Sequence, residues 1–350
     1  MGVKLKSRSK RVDLKEKLKE NWLLVGILFA IIFAQIDPSI GSRGGLLRPE
    51  ITVKYFCVAG IFFISGLSLK SEQLYLAIRQ VRLHVFIQCF TLFLFPLLVQ
   101  VFVFFLRPLG LNEWIVKGLV TVSCMPPPVS SAVILTRAVG GNEAAAIFNS
   151  AFGSFLGIIV TPLTLLYFLG VSTLVPLVST VIQLGMTVLL PLLFGQISRR
   201  AAGNWAQKNS PLLGFLSQLA LLLVIYATFC DTFINDAGHM DASDILFAIL
   251  FVVLLQVGLM SLVFSITSRL HRWFSPSDVV AILFCSTHKS LTLGIPMLRI
   301  LFGGYAHLSQ ISLPLLVYHP TQILLGSIVA APLREWLRDS HHKSHYSLGI

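Results

Sequence analysis

Ten apolar runs dominate this 350-residue chain, and each is about 20 residues long. A helix of that length crosses the roughly 30 Å hydrocarbon core of a bilayer. With 55% hydrophobic and only 12% charged residues, the chain is far more apolar than a soluble domain. Several runs are interrupted, so eight to ten crossings fit the pattern. We predict an all-α, multi-pass membrane protein with ten transmembrane helices at 22–40, 51–69, 83–106, 113–138, 143–169, 174–198, 212–234, 243–268, 277–302 and 308–333.

The basic residues predict how the chain is oriented. A net charge of +12 could indicate nucleic acid as a partner, but the charges are placed asymmetrically. If the N-terminus is inside, 20 Lys and Arg residues fall on the cytoplasmic side, and six fall outside: Arg43, Arg48, Lys54, Arg107, Lys117 and Arg299. This asymmetry is the positive-inside rule. We therefore predict cytoplasmic tails at 1–20 and 336–350, the lipid bilayer as the surrounding partner, and no nucleic acid.

Two of the runs cannot be plain helices. The fourth contains the consecutive prolines Pro126, Pro127 and Pro128, and the ninth contains Gly294 and Pro296 beside His288 and Lys289. Each proline lacks an N–H donor and collides with the preceding helical turn. These five Gly and Pro positions are the predicted helix breaks. Irregular backbone survives at membrane depth only where protein encloses it, and an ionisable residue there indicates a functional site.

The positions of the two breaks predict a repeat. One falls in the fourth span of the first five (21–170), and the other in the fourth span of the second five (171–335). Because five is odd, two such halves lie in opposite orientation across the membrane. Inverted repeats whose broken helices meet near the midplane are typical of secondary transporters.

Polar residues around the breaks form the candidate pocket. No Asp or Glu lies in the middle of a span, so direct Ca²⁺ carriage is not expected and no metal site is predicted. Lys289 is neutral, paired with carbonyl and hydroxyl oxygens, or paired with an anionic substrate, and Lys289 or His288 could also serve as a proton site. The pocket residues are Ser130, Ser131, Asn149, Ser150, Ser154, Ser286, Thr287, His288, Lys289 and Ser290.

Three strings, at 123–136, 140–154 and 285–296, resemble the bile acid/sodium symporter family, and specifically its orphan seventh branch. The resemblance covers about 20–335. It implies ten spans divided into a panel domain and a core domain, with crossing broken helices in spans four and nine. It also implies sodium ligands at Ser130 and Ser131, at Ser150 and Ser154, and at Gln88 or Thr91.

The chain departs from the family pattern in span nine. Cys285 stands where sodium-coupled relatives have a glutamate, and Lys289 stands where they have a glutamine. An ammonium at a sodium position would replace the ion, so classical two-sodium coupling is not expected and bile acid need not be the substrate. The branch further implies restraint of calcium entry, support of Golgi glycoprotein and glycosaminoglycan production, and a location in the cell membrane, endoplasmic reticulum and Golgi.

The leading hypothesis is a secondary transporter of a small anionic solute, with Lys289 as a fixed countercharge and sodium or a proton as coupling ion. The rival is a non-transporting regulator of calcium entry that binds a calcium-channel partner. An enzyme or a Schiff-base protein is a third class, but no Ser/His/Asp or metal-ligand set accompanies the lysine. We therefore expect no catalytic residue and no cofactor.

Overall fold

The computed structural model describes residues 22–68, 80–128, 131–169, 182, 185–234, 242–302 and 307–347. Within these residues the regular structure is entirely helical. The α-helices are α1 (Trp22–Ile36), α2 (Val58–Ser68), α3 (Val81–Leu106), α4 (Glu113–Cys124), α5 (Ser131–Val139), α6 (Glu143–Leu169), α7 (Leu190–Lys208), α8 (Ser210–Ile234), α9 (Ala242–Arg269), α10 (Pro276–Thr287), α11 (Leu291–Phe302) and α12 (Leu308–Ser347). Wider π-helical turns precede α2 (Thr52–Cys57) and α7 (Gly185–Leu189), and one interrupts α3 (Phe90–Leu94).

Six stretches of the described chain are long and apolar enough to cross a membrane: Val81–Leu106, Glu143–Leu169, Ser210–Asp231, Ser243–Arg269, Pro276–Phe302 and Leu308–Ser340. The fifth consists of α10 and α11 in succession, and 94% of its most apolar window is buried inside the protein. The corresponding share for the other five is 39% to 56%. The predicted all-helical membrane protein is therefore confirmed, and α10 and α11 form its most enclosed part.

The other four predicted spans correspond to shorter or interrupted helices. For example, α1 has 15 residues and extends only about 22 Å. The fourth span is divided between α4 and α5, a π-helical turn precedes the helix of the second span, and residues 174–181 of the sixth span lie outside the described residues. Length and composition alone do not qualify these segments as crossings, so ten spans and an inverted repeat remain predictions.

Two groups of helices can be distinguished by their packing. α2 packs closely along α7, and α8 packs along α1 and α2. We refer to these four helices as the panel helices. The remaining helices pack around α4, α10 and α12, and we refer to them as the core helices. The two groups meet where α11 lies against α8.

Helix α12 extends beyond the predicted tenth span. It has 40 residues, about 60 Å, and continues to Ser347 despite three internal prolines. It therefore passes through most of the segment predicted as a C-terminal tail at 336–350. The predicted N-terminal tail, 1–20, lies outside the described residues.

Candidate functional site

The first helix break follows from the missing N–H groups of the three prolines. In an α-helix, each carbonyl accepts from the N–H four residues later. Pro126, Pro127 and Pro128 therefore leave the carbonyls of Val122, Ser123 and Cys124 without their usual donors. Helix α4 ends at Cys124, and Met125 is extended with ψ 148°. Its N–H donates to Val122 O at 3.1 Å, which satisfies the first of the three carbonyls.

The other carbonyls of this break accept from distant side chains. Cys124 O accepts from Thr161 Oγ1 at 2.8 Å, and Ser123 O accepts from Lys289 Nζ at 2.8 Å. Beyond the break, Pro127 O accepts from Ser154 Oγ at 3.2 Å. The extended backbone at membrane depth is thus satisfied by α6 and by the second break.

Two glycines of α6 let the prolines pack closely. A methyl group at Gly157 would overlap the ring of Pro126, and one at Gly153 would lie 2.5 Å from the ring of Pro127. Gly153 and Gly157 are one helical turn apart, so they form a flat surface on one face of α6. The broken segment lies against that surface.

The second break lies at His288–Ser290, ahead of the predicted break residues Gly294 and Pro296. Helix α10 ends at Thr287, His288 is extended with ψ 146°, and α11 begins at Leu291. Gly294 and Pro296 lie inside α11, so the prediction that they break the helix is wrong. Gly294 instead provides room for Met125 Sδ, which would lie 2.9 Å from an added methyl group.

The backbone of the second break is held by α12 and by the first break. Gln322 Oε1 accepts from the N–H of Lys289 at 2.7 Å, and Gln322 Nε2 donates to Lys289 O at 3.0 Å. Tyr318 OH donates to Thr287 O at 2.6 Å, and Ser290 N–H donates to Pro126 O at 2.9 Å. Sequence reasoning gave Tyr318 and Gln322 no role, although two polar side chains one turn apart beside an internal proline could have indicated one.

The side chain of Lys289 is fully buried between the two breaks. Its Nζ donates to three backbone carbonyls, Thr91 O at 2.9 Å, Ser123 O at 2.8 Å and Met125 O at 2.9 Å. It also lies 4.1 Å from the ring centroid of Phe95, where a cation is attracted to the π face. Three carbonyl acceptors match the three N–H donors of an ammonium, whereas a neutral amine has only two.

The third carbonyl is freed by the π-helical turn in α3. In that turn Phe95 N–H donates to Phe90 O, five residues earlier, and is no longer available to Thr91 O. The next residue is Pro96, which has no N–H. Thr91 O is therefore left to accept from Lys289, and the Thr91 hydroxyl donates to the carbonyls of Cys285 and Ser286 at 3.3 Å.

The remaining predicted residues form two adjoining clusters. Gln88 Nε2 donates to Asn149 O at 3.0 Å, and Asn149 Nδ2 lies 2.8 Å from Nδ1 of His84, a residue that sequence reasoning missed. Ser150 Oγ lies 3.8 Å from Cys285 Sγ, and Ser131 Oγ lies 3.3 Å from His288 Nδ1. Ser130 lies outside the described residues. The structure thus places the predicted residues of α3, α6 and α10 around one region.

Three buried polar atoms of this region have no hydrogen-bond partner within the described part of the chain: Gln88 Oε1, Ser286 Oγ and His288 Nε2. Buried polar atoms without partners are costly and often mark sites of function. Gln88 also bonds to α6, the His288 ring lies within hydrogen-bond distance of α5, and the backbone of Ser286 accepts from Thr91 of α3.

A cavity of about 280 Å³ lies between the breaks and the panel helices. Ser154, Ser290 and Thr292 line its core side, and Ser65 and Ser217 are among the residues of its panel side. Lys289 Nζ is not part of its lining, because the ammonium points away into the carbonyls of α3 and α4. A substrate in this cavity would therefore experience the charge of Lys289 without direct contact.

The model of the SBF-like CPA transporter family matches residues 21–335, which include every helix described above except the last turns of α12. The chain belongs to this family. It is 54% identical to "Sodium/bile acid cotransporter 7-B" of Xenopus laevis over 326 residues, 93% of this chain and 95% of that protein. It is 55% identical to "Sodium/bile acid cotransporter 7" of Rattus norvegicus, with the same coverage, and 30% identical to "Putative symporter YfeH" of Escherichia coli over 87% of this chain and 90% of that protein.

Membership of the SBF-like family confirms the resemblance inferred from the three sequence strings. It identifies the chain as a membrane transporter of the secondary type and not as an enzyme. In many secondary transporters, discontinuous helices form the substrate and ion sites near the bilayer midplane.

The SBF-like chain contains a second buried cation, Arg299, in α11. Its Nη2 lies 3.0 Å from Asp231 Oδ2, and its Nη1 donates to Thr228 Oγ1 at 2.9 Å. The two charged side chains are 9% and 14% exposed. Sequence analysis counted Arg299 among residues outside the membrane and missed this pair, because the partners are far apart in sequence. The ion pair connects α11 of the core to α8 of the panel.

Proposed function

We propose that this protein is a secondary transporter in which the Lys289 ammonium takes the place of a coupled sodium ion. The observation that carries the proposal is the set of three backbone carbonyls around Nζ, at 2.8 to 2.9 Å. Carbonyl oxygens of unwound helices are the groups with which secondary transporters hold coupling cations. Here the cation is covalently attached to the chain and cannot be released with the substrate.

The proposal includes ten crossings arranged as two inverted repeats, with both termini in the cytoplasm. The panel helices and core helices then correspond to the parts that move against one another. In support, the two breaks lie together: Ser290 N–H donates to Pro126 O, and Lys289 bonds to the end of α4. Both fall in the fourth span of their predicted halves.

The transported solute is a small organic anion bound in the cavity between panel and core. No acidic or basic side chain lines the described part of this cavity. The Lys289 ammonium nearby has no carboxylate among its hydrogen-bond acceptors, so its charge is not neutralised locally. The first turn of α11 also faces the cavity, and a helix N-terminus favours negative charge. Both contributions make the cavity electrostatically positive.

The influence on calcium handling and the location in cell, endoplasmic reticulum and Golgi membranes belong to the same proposal, on the strength of the family resemblance. A carrier affects calcium through its solute, whereas a regulator acts by binding a channel partner. Replacing Lys289 in a cell calcium assay separates these routes. Loss of the effect with normal expression and trafficking supports the carrier, and an unchanged effect favours the regulator.

Sodium replacement can be tested without knowing the substrate. Thermal unfolding of the purified chain in detergent is measured in sodium chloride and in choline chloride. The wild type is expected to unfold at the same temperature in both salts, because Lys289 already occupies the cation position. The variant Cys285→Glu with Lys289→Gln restores the residue types of sodium-coupled relatives, and we expect sodium to stabilise it by up to about 3 kcal/mol at saturation.

Thermal unfolding in the two salts could also contradict the sodium-replacement proposal. Sodium-specific stabilisation of the wild type would show that the ammonium does not replace the ion. Lys289→Gln alone is the matched control, since it removes the ammonium without restoring the glutamate. Transport is then tested by adding labelled organic anions outside liposomes that contain the protein, and uptake by the wild type is expected to persist without a sodium gradient.

A further inference from the structure

The lining of the cavity indicates the chemical class of its solute. Most of the lining surface is apolar, but seven residues with hydroxyl groups and one with an amide are also part of it: Ser65, Ser68, Ser154, Ser210, Ser217, Gln218, Ser290 and Thr292. They come from both groups of helices, with α2 and α8 on the panel side and α6 and α11 on the core side. A solute in this cavity is therefore in contact with hydroxyl groups on opposite walls.

The polar side chains of the lining can form hydrogen bonds with a ligand, the serines chiefly as acceptors and Gln218 as both donor and acceptor. Ser65 Oγ donates to Ile61 O at 2.8 Å, and the proton of Ser154 Oγ is shared between Ser150 O at 2.7 Å and Pro127 O at 3.2 Å, so neither hydroxyl has a proton left for a ligand. The oxygen lone pairs of such serines remain free to accept from a ligand. The Gln218 amide provides both a donor and an acceptor. This combination suits a solute with several hydroxyl groups of its own.

The start of α11 provides a place for an anionic group. Ser290 N–H and Leu293 N–H are used by Pro126 O and Ser290 Oγ, at 2.9 and 3.3 Å. The N–H groups of Leu291 and Thr292 open the helix and have no carbonyl in a preceding helical turn. Ser290 and Thr292 themselves line the cavity. A carboxylate there would meet helical N–H groups and hydroxyl donors together.

The size and the apolar part of the wall limit the remainder of the solute. The cavity volume of about 280 Å³ lies just below the range of about 300 to 1000 Å³ found for most ligand pockets. The apolar side chains of the lining are Ile64, Phe155, Ile158, Leu192 and Leu293. They suit a short carbon chain, whereas a rigid four-ring steroid would offer few hydrogen bonds to the hydroxyl groups on the two walls.

We infer that the cavity selects a small polyhydroxylated organic anion, with its carboxylate at the N-terminus of α11 and its hydroxyl groups against α2 and α8. This inference rests on the proposed transport function and narrows its substrate class. It makes Ser65, Ser217 and Gln218 specificity determinants on the panel side. They contact the hydroxyl groups of the solute and not its charge.

The test measures stabilisation of the full-length purified chain by matched probes at low millimolar concentration. Gluconate is a hydroxylated carboxylate, hexanoate has the same carbon chain without hydroxyl groups, and sorbitol has the hydroxyl groups without the charge. We expect gluconate to stabilise the protein at a concentration at least about tenfold below that of hexanoate, the difference typical of a few well-placed hydrogen bonds. Equal stabilisation by hexanoate, stronger stabilisation by a steroid carboxylate, or no effect of gluconate would overturn the inference.

Variants connect the effect to the cavity. The Ser65→Ala and Ser217→Ala double variant is expected to weaken the gluconate effect about tenfold and to leave the hexanoate effect unchanged. Ser327→Ala is the matched control, because Ser327 Oγ also donates to its own helix, to Ile323 O at 2.7 Å, but lies exposed on α12. An equal loss in the control would contradict a role of the cavity serines.

The proposed anionic charge of the solute and its inferred hydroxyl groups are rejected by different results. If sorbitol binds as well as gluconate, the hydroxyl inference is supported, and the anionic charge of the proposed solute is rejected. If a steroid carboxylate binds best, the anionic charge is supported, and the hydroxyl inference is rejected.

Discussion

Lys289 and Arg299 are two buried cations only ten residues apart, and the protein accommodates them in opposite ways. Lys289 is surrounded by neutral carbonyls of the backbone, whereas Arg299 is paired with the carboxylate of Asp231. The partners also differ in location. Those of Lys289 all lie in α3 and at the end of α4, within the core helices, and those of Arg299 lie in α8, a panel helix.

The two cations therefore have different structural roles. The carbonyls around Lys289 are exposed because prolines and a π-helical turn removed their donors, so the ammonium completes the fold of the core itself. The Arg299–Asp231 pair spans the boundary between core and panel. Moving α11 along α8 would separate that pair, while the Lys289 contacts would travel with the core as one unit.

The largest effect is expected when the ammonium is removed. Lys289→Met keeps a long apolar side chain but leaves Thr91 O, Ser123 O and Met125 O without a donor. A buried unsatisfied carbonyl costs about 1 to 3 kcal/mol, so the total loss of stability is expected to reach about 5 kcal/mol. Thermal unfolding in detergent measures this loss. We refer to these three carbonyls as the carbonyl cage. A melting temperature equal to that of the wild type would contradict their role as acceptors of the Lys289 ammonium.

A somewhat smaller loss is expected when the boundary pair is broken. Arg299→Met leaves the Asp231 carboxylate largely buried without its guanidinium, and breaking a buried pair from one side costs about 3 to 5 kcal/mol. Adding Asp231→Leu removes the stranded charge and is expected to restore most of the stability. If the double variant is as unstable as the single variant, the pair is not the cause.

The same double variant distinguishes the two cations in function. The Arg299→Met and Asp231→Leu variant lacks a contact between core and panel, so we expect its transport rate to change. Like the wild type, it is expected to show no stabilisation by sodium. Lys289→Met is expected to abolish transport altogether. Liposome uptake, measured for both variants at equal protein content, tests this ranking.

The end of α4 and the position of the buried lysine could be predicted from the sequence. The hydrogen bonds that satisfy the broken backbone could not. Three prolines in an apolar run showed where α4 must end, and the isolated Lys289 marked the site. Each proline also removes the donor of the carbonyl four residues earlier, so the free carbonyls of Ser123 and Cys124 were predictable in principle. Which groups satisfy them depends on residues more than 30 positions away, and the π-helical turn that frees Thr91 O leaves no comparable signal.

The errors have the same origin. Gly294 and Pro296 have the composition of a break, yet both lie inside α11. The break comes earlier because Gln322 and Tyr318 bind the backbone at Lys289 and Thr287, and because Gly294 is needed for close packing against Met125. A pattern of residue types does not show which backbone groups find partners across the core.

An intermediate effect is expected where α6 receives the prolines. Gly153→Ala adds a methyl group 2.5 Å from Pro127 Cγ and 2.8 Å from Gln88 Oε1, and such overpacking typically costs about 1 to 3 kcal/mol. Gly258→Ala is the matched control, because an added methyl group there meets nothing within 4 Å. The control is expected to gain up to about 1 kcal/mol from helix propensity. Equal melting temperatures for the two variants would rule out close packing at the break.

The smallest effect is expected at Tyr318, which supports the Lys289 segment from outside the carbonyl cage. Tyr318→Phe removes the hydrogen bond of 2.6 Å to Thr287 O and keeps the ring. The expected loss is about 1 kcal/mol, since one neutral hydrogen bond is removed and one carbonyl is left unpaired. Because Lys289 Nζ keeps its three acceptors, the variant should still show no sodium response. Sodium-dependent stabilisation of Tyr318→Phe would mean that the cage depends on the backbone position of the break, and not only on the carbonyls of α3 and α4.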